Sequence, residues 1–201
     1  MHDKQEKGVI LQKLPYSDAD EIITVLFEKS GVKKLFVRGS RKSKKRFGGR
    51  IDHFEELSFQ YTSKEHGLSM LKAIDDLPGS IRSKALNNIF SYAFLSYLSE
   101  IIREFFWEEA RADEVYELWQ NLASEVKDTP LSLERAIHYH LLVLSLAGYN
   151  LETESSFHQL LVDYKAQSLL PKQKWIVLFR YPEKVLERHL KTLEFLLSVL
   201  P

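Results

Sequence analysis

Between Lys29 and Arg50 the chain carries ten lysines or arginines (29, 33, 34, 38, 41, 42, 44, 45, 46 and 50) and no aspartate or glutamate. The chain as a whole is neutral, with 28 basic and 28 acidic residues, so its other segments together hold 18 basic against 28 acidic. A neutral protein that gathers so much positive charge into one run creates a local field whose natural ligand is a polyanion. A solvated charge run is the bland alternative. Two features favour a shaped site. The run begins inside an alternating segment, Val32–Arg38, and it contains Gly39 and Phe47-Gly48-Gly49, residues suited to a structured loop. Lys33, Lys34, Arg38, Arg41, Lys42, Lys44, Lys45, Arg46 and Arg50 are the candidate phosphate contacts. No base-reading helix accompanies them, so binding is expected to tolerate any sequence. Phe36, Phe47 and Tyr61 are candidates for base stacking. Phe36 reads first as barrel core, whereas Phe47, set among cations and glycines, reads as the better stacking residue.

Other chemistry finds little support. There is no cysteine, which removes disulfides, thiolate nucleophiles and thiolate zinc sites, and accords with a reducing cytoplasm. His138 and His140 form an H-x-H pair, but residues i and i+2 on a helix point about 200° apart and do not share a face. Glu108-Glu109 and Asp113-Glu114 flank a helix junction, where capping comes first. Gly48-Gly49 lacks the Lys-Ser/Thr that completes a phosphate-binding loop. With no nucleophile elbow and no kinase-type motif, the sequence reads as a binding protein and not an enzyme, with no cofactor.

The elements that must position the basic run follow from periodicity. Gly8–Leu14, Glu21–Glu28, Val32–Arg38, Phe54–Tyr61 and Leu68–Ile74 read as five short strands separated by turn residues. In the third, Val32, Lys34, Phe36 and Arg38 face one way and Lys33, Leu35 and Val37 the other. Five strands with one long connection between the third and fourth suggest an OB-type barrel, which hides its sheet edges. The period changes after Leu77-Pro78-Gly79-Ser80. Ser80 would cap a helix running to about Trp107, followed by helices over Arg111–Val126, from Thr129-Pro130 to a Gly148 C-cap, over Glu154–Tyr164 and over Pro182–Leu200. Ala136–Leu146 is apolar nearly all round and reads as a buried central helix. The fold class is therefore α+β: an OB barrel over residues 1–78, then an all-α domain over 79–201. Residues 2–8 are charged with both signs and do not read as a signal peptide. No segment approaches the roughly 18 apolar residues of a membrane span, so the chain reads as soluble, cytoplasmic and without a membrane partner. On the helical half, Arg135 and His138 could edge an apolar groove able to receive an acidic, partly apolar peptide.

The order of motifs also resembles a known family. Gly8-Val9-Ile10-Leu11, Tyr16-Ser17-Asp18-Ala19-Asp20, Ser30-Gly31 and Val37-Arg38-Gly39-Ser40-Arg41 with its lysine-rich tail resemble the N-terminal domain of the RecO family of bacterial recombination mediators. Phe47-Gly48-Gly49 through Leu57, and Ile137–Leu146 ending in Ala147-Gly148-Tyr149, are similar to the family pattern as well. The likeness is clear over about residues 8–80 and fair over 130–150. It implies an OB domain joined to a helical domain, binding of single- and double-stranded DNA, strand annealing, and help in replacing single-strand-binding protein with recombinase. It also implies two protein partners: a ring-forming recombination protein of the RecR type and the C-terminal tail of single-strand-binding protein. Many members carry a four-cysteine zinc module just after the Gly-Tyr that matches Gly148-Tyr149. Leu151–Gln159 has no cysteine here, so no zinc is expected.

Overall fold

The computed structural model describes residues 2–42, 47, 50–63, 68–77, 88–107, 111–151, 157, 160–162 and 172–201. Five strands lead: β1 (His2–Pro15), β2 (Glu21–Phe27), β3 (Gly31–Val37), β4 (Glu56–Ser63) and β5 (Ser69–Asp76). They close into a barrel in the order β1-β2-β3-β5-β4, with only the β3–β5 pair parallel. This is the five-stranded OB barrel expected from the sequence.

β1 is six residues longer at its start than its apolar run indicates. Its polar half, His2–Lys7, pairs with β4 from His2↔Ser63 to Lys7↔Ser58, while Gly8–Pro15 pairs with β2. One strand thus serves two partners and closes the barrel. Gly8 sits at the crossover, opposite both Phe27 and Leu57. A Cβ there would lie 2.9 Å from the Leu26 carbonyl oxygen and 2.6 Å from Val25 Cγ1. Only glycine allows the strands to approach this closely.

Alternation supplies the interior. Ile10, Ile23, Val25, Phe27, Leu35, Val37, Leu57, Phe59, Tyr61, Leu71 and Ile74 point inward, and Phe47 and Ile51 fill in from the β3–β4 connection. Phe27 stacks on Tyr61 with centroids 5.0 Å apart and meets Phe59 edge-on at 5.5 Å. Each such side chain contributes roughly 1.5–3 kcal/mol by leaving water. The carboxylate of Glu6 accepts from Lys29 N, Ser30 N and Ser30 Oγ at 2.6–2.7 Å and thereby fixes the β2–β3 turn.

The helices are α1 (Ile89–Phe105), α2 (Ala112–Asp128), α3 (Leu133–Leu146), α4 (Lys172–Phe179), α5 (Tyr181–Leu186) and α6 (Leu193–Ser198). The chain forms two compact units: residues 1–87 with 102–129, and residues 88–101 with 130–201. The first unit takes α2 along with the barrel. Trp119 packs 5.8 Å from Phe54, and Tyr116 and Gln120 both donate to the Glu56 carboxylate.

In the second unit, Asn88 caps α1 by accepting from Ser91 N at 2.9 Å; Ser80, expected in that role, lies outside the described residues. α3 starts at Ser132, whose side chain accepts from Arg135 N, and not at Thr129-Pro130. A short serine hydroxyl satisfies an orphan N–H that proline cannot. The helix ends as expected, with Gly148 at φ 90° and Tyr149 N donating to Leu144 O. It is buried on one face only: Ala136, Ile137, Tyr139, His140, Val143 and Leu144 are inside, while Leu142 is 40% exposed. The single helix expected over Pro182–Leu200 is two, because Glu187 adopts φ 52° and closes α5. α4 was not foreseen. Of the helix expected over Glu154–Tyr164, Phe157 and Leu160–Val162 are described and helical. Among the described residues no helix is long and apolar enough to cross a membrane.

Candidate nucleic-acid interface

The basic run leaves the barrel at the end of β3 and is tied at once to the neighbouring β1–β2 turn. Gly39, at φ 72°, donates its N–H to Asp20 Oδ1 at 2.8 Å. Arg41 donates its backbone N–H to Ala19 O at 3.1 Å and its guanidinium Nη1 to Ser17 O at 2.7 Å. Ser17 Oγ in turn accepts from Ala19 N and Asp20 N and donates to Asp20 Oδ2. The two loops therefore form one hydrogen-bonded platform. The Gly39 N–H, aided by the Ser17 hydroxyl and the charges of Arg38 and Lys42, holds the Asp20 carboxyl below its ordinary range. Asp20 stays ionised and anchors the start of a cationic loop.

Around this platform the expected phosphate contacts divide into two groups. Lys34, Arg38, Arg41 and Lys42 are exposed and Lys33 is half-buried. Arg50 is half-buried and turned to structural work: Nε donates to Phe47 O, Nη2 donates to Ile74 O at 3.1 Å, and Nη1 lies 3.4 Å from Asp76. A cation matched by a carboxylate and bound to two carbonyls offers little to a phosphate. Lys44, Lys45 and Arg46 lie outside the described residues.

The expected roles of the aromatic residues are reversed. Phe47 is 2% exposed and belongs to the barrel core, and Tyr61 is fully buried. Arg50 N donates to Phe47 O at 2.9 Å, and the Phe47 ring lies among the core residues of the barrel. Phe47 therefore presents no face for stacking. Phe36, read first as core, stands half-buried on the outside of β3, where Tyr16 meets it edge-on with centroids 5.5 Å apart. Tyr16 is 64% exposed. The signal for this was in the alternation: once Leu35 and Val37 point inward, Phe36 must point outward.

The register extends this surface across the sheet. Leu14 pairs with Ile22, Ile22 with Phe36 and Phe36 with Met70, so four outward apolar residues cross β1, β2, β3 and β5 in one row. Leu14 and Met70 are 47% and 39% exposed. Lys34 flanks Phe36 at i−2 on the same strand face, and the exposed Arg38 follows one residue past the end of β3. The result is an apolar row on four strands, with Tyr16 and Arg38 at the strand ends beside it and Lys34 on β3.

In the second unit, His138 is exposed and Arg135 lies with its guanidinium carbon 5.1 Å over the Tyr139 ring. His138, Leu141, Leu142, Ser145, Tyr149, Asn150 and Leu151 line a cavity of about 360 Å³; Arg135 is not part of that lining. His140, by contrast, is fully buried. Its Nε2 faces Leu178 O at 3.2 Å and its Nδ1 faces the Tyr97 hydroxyl at 3.1 Å. Both ring nitrogens are thus occupied, and the two histidines have unrelated surroundings. A carbonyl can only accept, so Nε2 carries the proton. The Tyr97 hydroxyl, also 2.9 Å from Phe179 O, then shares its single hydrogen between that carbonyl and Nδ1.

Comparison with known proteins bears on the same N-terminal region. The family model described as "Recombination protein O N terminal" matches residues 1–77. DNA repair protein RecO of Syntrophotalea carbinolica is 27% identical over 149 residues, which is 74% of this chain and 57% of that protein. The protein of the same name from Anaeromyxobacter sp. (strain K) is 30% identical over 116 residues, 55% of this chain and 43% of its own. That of Geobacter sulfurreducens is 23% identical over 155 residues, 77% and 63% respectively. The chain spans about half the length of these curated relatives. The similarity runs well past the matched barrel, and the barrel is the five-stranded one that the sequence motifs implied, so residues 1–77 form an N-terminal domain of the RecO type.

Proposed function

We propose that this protein is a DNA repair and recombination mediator that binds DNA through the outer face of its barrel. The observation that carries the reading is the juxtaposition of Lys34 and Phe36 on β3 with Arg38 just past its end and Tyr16 beside Phe36. Cations there neutralise phosphates, and the aromatic band receives bases without reading them. Single- and double-stranded DNA would both be held by the charge. Neutralising two strands together lowers their repulsion, a physical route to annealing complementary strands without an energy source. In this reading residues 1–78 form the DNA-binding domain and residues 79–201 the helical domain. The protein acts in the cytoplasm, on the nucleoid during repair, without catalysis, and helps load recombinase onto DNA coated by single-strand-binding protein. A RecR-type ring-forming protein is its proposed partner in loading.

The test is a strand-annealing assay on complementary oligonucleotides, bare and coated. The expected result is annealing by the wild type and its loss when Arg38, Arg41 and Lys42 are replaced by glutamine together with Lys44, Lys45 and Arg46. Unchanged DNA affinity and annealing in that folded variant would overturn the reading.

A second reading, a protein–protein adaptor, draws on the cavity beside His138. Leu141, Leu142, Tyr149 and Leu151 supply an apolar lining, and the His138 ring beside them could donate a hydrogen bond to an acidic terminus. A tail that is apolar and acidic, like that of single-strand-binding protein, suits such a site. Arg135 would contribute only by swinging off Tyr139. Binding of a labelled acidic-tail peptide, lost in Leu142→Asp, is the expected result; undiminished binding in that variant would remove the cavity from consideration.

A further inference from the structure

Of the three tryptophans, Trp119 and Trp175 are buried, at 2% and 6% exposure, whereas Trp107 is 48% exposed. A single exposed apolar side chain is ordinary in itself, so the surroundings of Trp107 decide what it can do. Trp107 follows the end of α1 and belongs to the same compact unit as the barrel. Its ring has a definite neighbour: Lys34 Nζ lies 4.8 Å from the ring centroid. Lys34 is the outward residue two positions before Phe36 on β3, about 6.6 Å along the strand at the usual rise. In order along one face, the molecule presents Trp107 with Lys34, then Phe36 with Tyr16, then Arg38. Aromatic surface and positive charge alternate along the strand.

We infer that Trp107 is a second base-stacking platform, and that this edge of the barrel takes single-stranded DNA in particular. The inference rests on the DNA-binding reading above and sharpens it. Every base has a π-face, but in a duplex those faces are already stacked on their neighbours, so an exposed indole gains a partner only from an unpaired strand. Lys34 fits the same ligand, since a cation held beside an aromatic ring can meet the phosphate of a nucleotide whose base lies on that ring. The alternative role for Trp107 is structural: to cover the Lys34 stem and no more.

Intrinsic fluorescence tests this directly, because Trp107 is the tryptophan that a ligand at this face would touch. The full chain is titrated with an oligo-dT of about 15 nucleotides, within the site size of one OB fold, and with a duplex of the same length. Binding is followed in parallel by anisotropy of a labelled oligo-dT across a salt series. Single strands are expected to quench tryptophan emission and the duplex not to. Trp107→Phe should abolish the quench while largely keeping affinity. Trp107→Ala should weaken oligo-dT binding about 5- to 150-fold, the worth of one stacked base, with an unchanged dependence of log K on log salt.

Quenching that survives in Trp107→Phe, equal quenching by the duplex, or wild-type affinity in Trp107→Ala would each overturn the inference. So would a Trp107→Ala salt dependence flattened as much as that of Lys34→Gln, because the indole would then act only by holding the lysine. Oligo-dT binding by anisotropy with silent tryptophan emission sinks this inference alone. Absence of any oligo-dT binding sinks it together with the DNA-binding reading. If Trp107→Ala fails to fold, the quenching comparison between wild type and Trp107→Phe still decides.

Discussion

Arg38 and Lys42 on one side, and Arg50 on the other, should behave as two different kinds of residue although all three sit in one basic run. Arg38 and Lys42 are exposed, and the carboxylate whose charge they feel, Asp20, is already held by the Gly39 N–H. Arg50 is bound to Phe47 O and Ile74 O and faces Asp76. Each phosphate neutralised on a single strand contributes about −0.7 to the slope of log K against log salt. Replacing Arg38 and Lys42 together by glutamine should therefore make the slope shallower by about 1.4. Arg50→Gln should leave the slope unchanged. It should instead lower unfolding stability by about 1.5–3 kcal/mol, the worth of hydrogen bonds to a charged group whose partners are left unmatched. The assay is fluorescence anisotropy with a labelled oligo-dT at several salt concentrations, paired with urea unfolding. If Arg50→Gln flattens the slope as far as a surface lysine does, or if the double variant keeps the wild-type slope, the division drawn from the structure is wrong.

Three further outcomes are expected. Phe47→Ala should cost about 3–5 kcal/mol of stability as a core truncation, while Phe36→Ala should unfold normally and lose DNA affinity; urea melts and anisotropy on both variants check this, and a stable Phe47→Ala with weakened DNA binding would refute it. Gly8→Ala should be markedly destabilising, because its methyl group meets the Leu26 carbonyl and Val25 across the β1–β2 pair; a wild-type melting temperature would show that the strands can part there at no cost. The third concerns acid. Burial lowers the pKa of His140 from its ordinary value of 6.5 to about 3, because an imidazolium's lost hydration outweighs its hydrogen bond to the Leu178 carbonyl. The unfolded chain takes up this proton below pH 6.5 and the folded one does not, so stability present above that pH is lost as pH falls towards 3. Each pH unit in that window costs about 1.4 kcal/mol. Between about pH 7 and pH 5 the wild type should lose about 2 kcal/mol more than His140→Gln, as read by urea unfolding at the two values. Parallel pH dependence in the two proteins would refute this reading of the buried histidine.

The five strands were legible because their interiors alternate, and β2 and β3 lie within a residue of the segments expected. The first six residues of β1 were not, since His2–Lys7 are polar and mostly exposed and owe their extended form to β4, about 55 residues away. Local pattern carries no trace of a partner that distant. The basic run announced the site, but composition misled about its aromatics. Phe47 looks like a loop tip because arginine and glycine surround it, yet its ring packs with the barrel core. Phe36 looks like core because it is a phenylalanine between Leu35 and Val37. Trp107 gave no signal, since its value depends on which strand it lies beside. Among the helices, the Gly148 stop was readable from residue type, whereas the break at Glu187 was not, because a glutamate in the left-handed region has no local signature.

β1's double pairing also bears on how the charged loop comes to exist. The β1–β2 and β2–β3 hairpins join residues close in sequence and can form early, but the barrel closes only when His2–Val9 meets Glu56–Ser63. That step must loop out the intervening chain, the cationic run included, before any β1–β4 contact rewards it. The protein thus completes its barrel by drawing together charges that repel one another. Dissolved salt should oppose DNA and favour the fold: as ionic strength rises, affinity for the nucleic acid falls while the melting temperature of the unbound protein climbs. A bound polyanion would replace salt in the second role, so the ligand helps to hold closed the barrel that binds it.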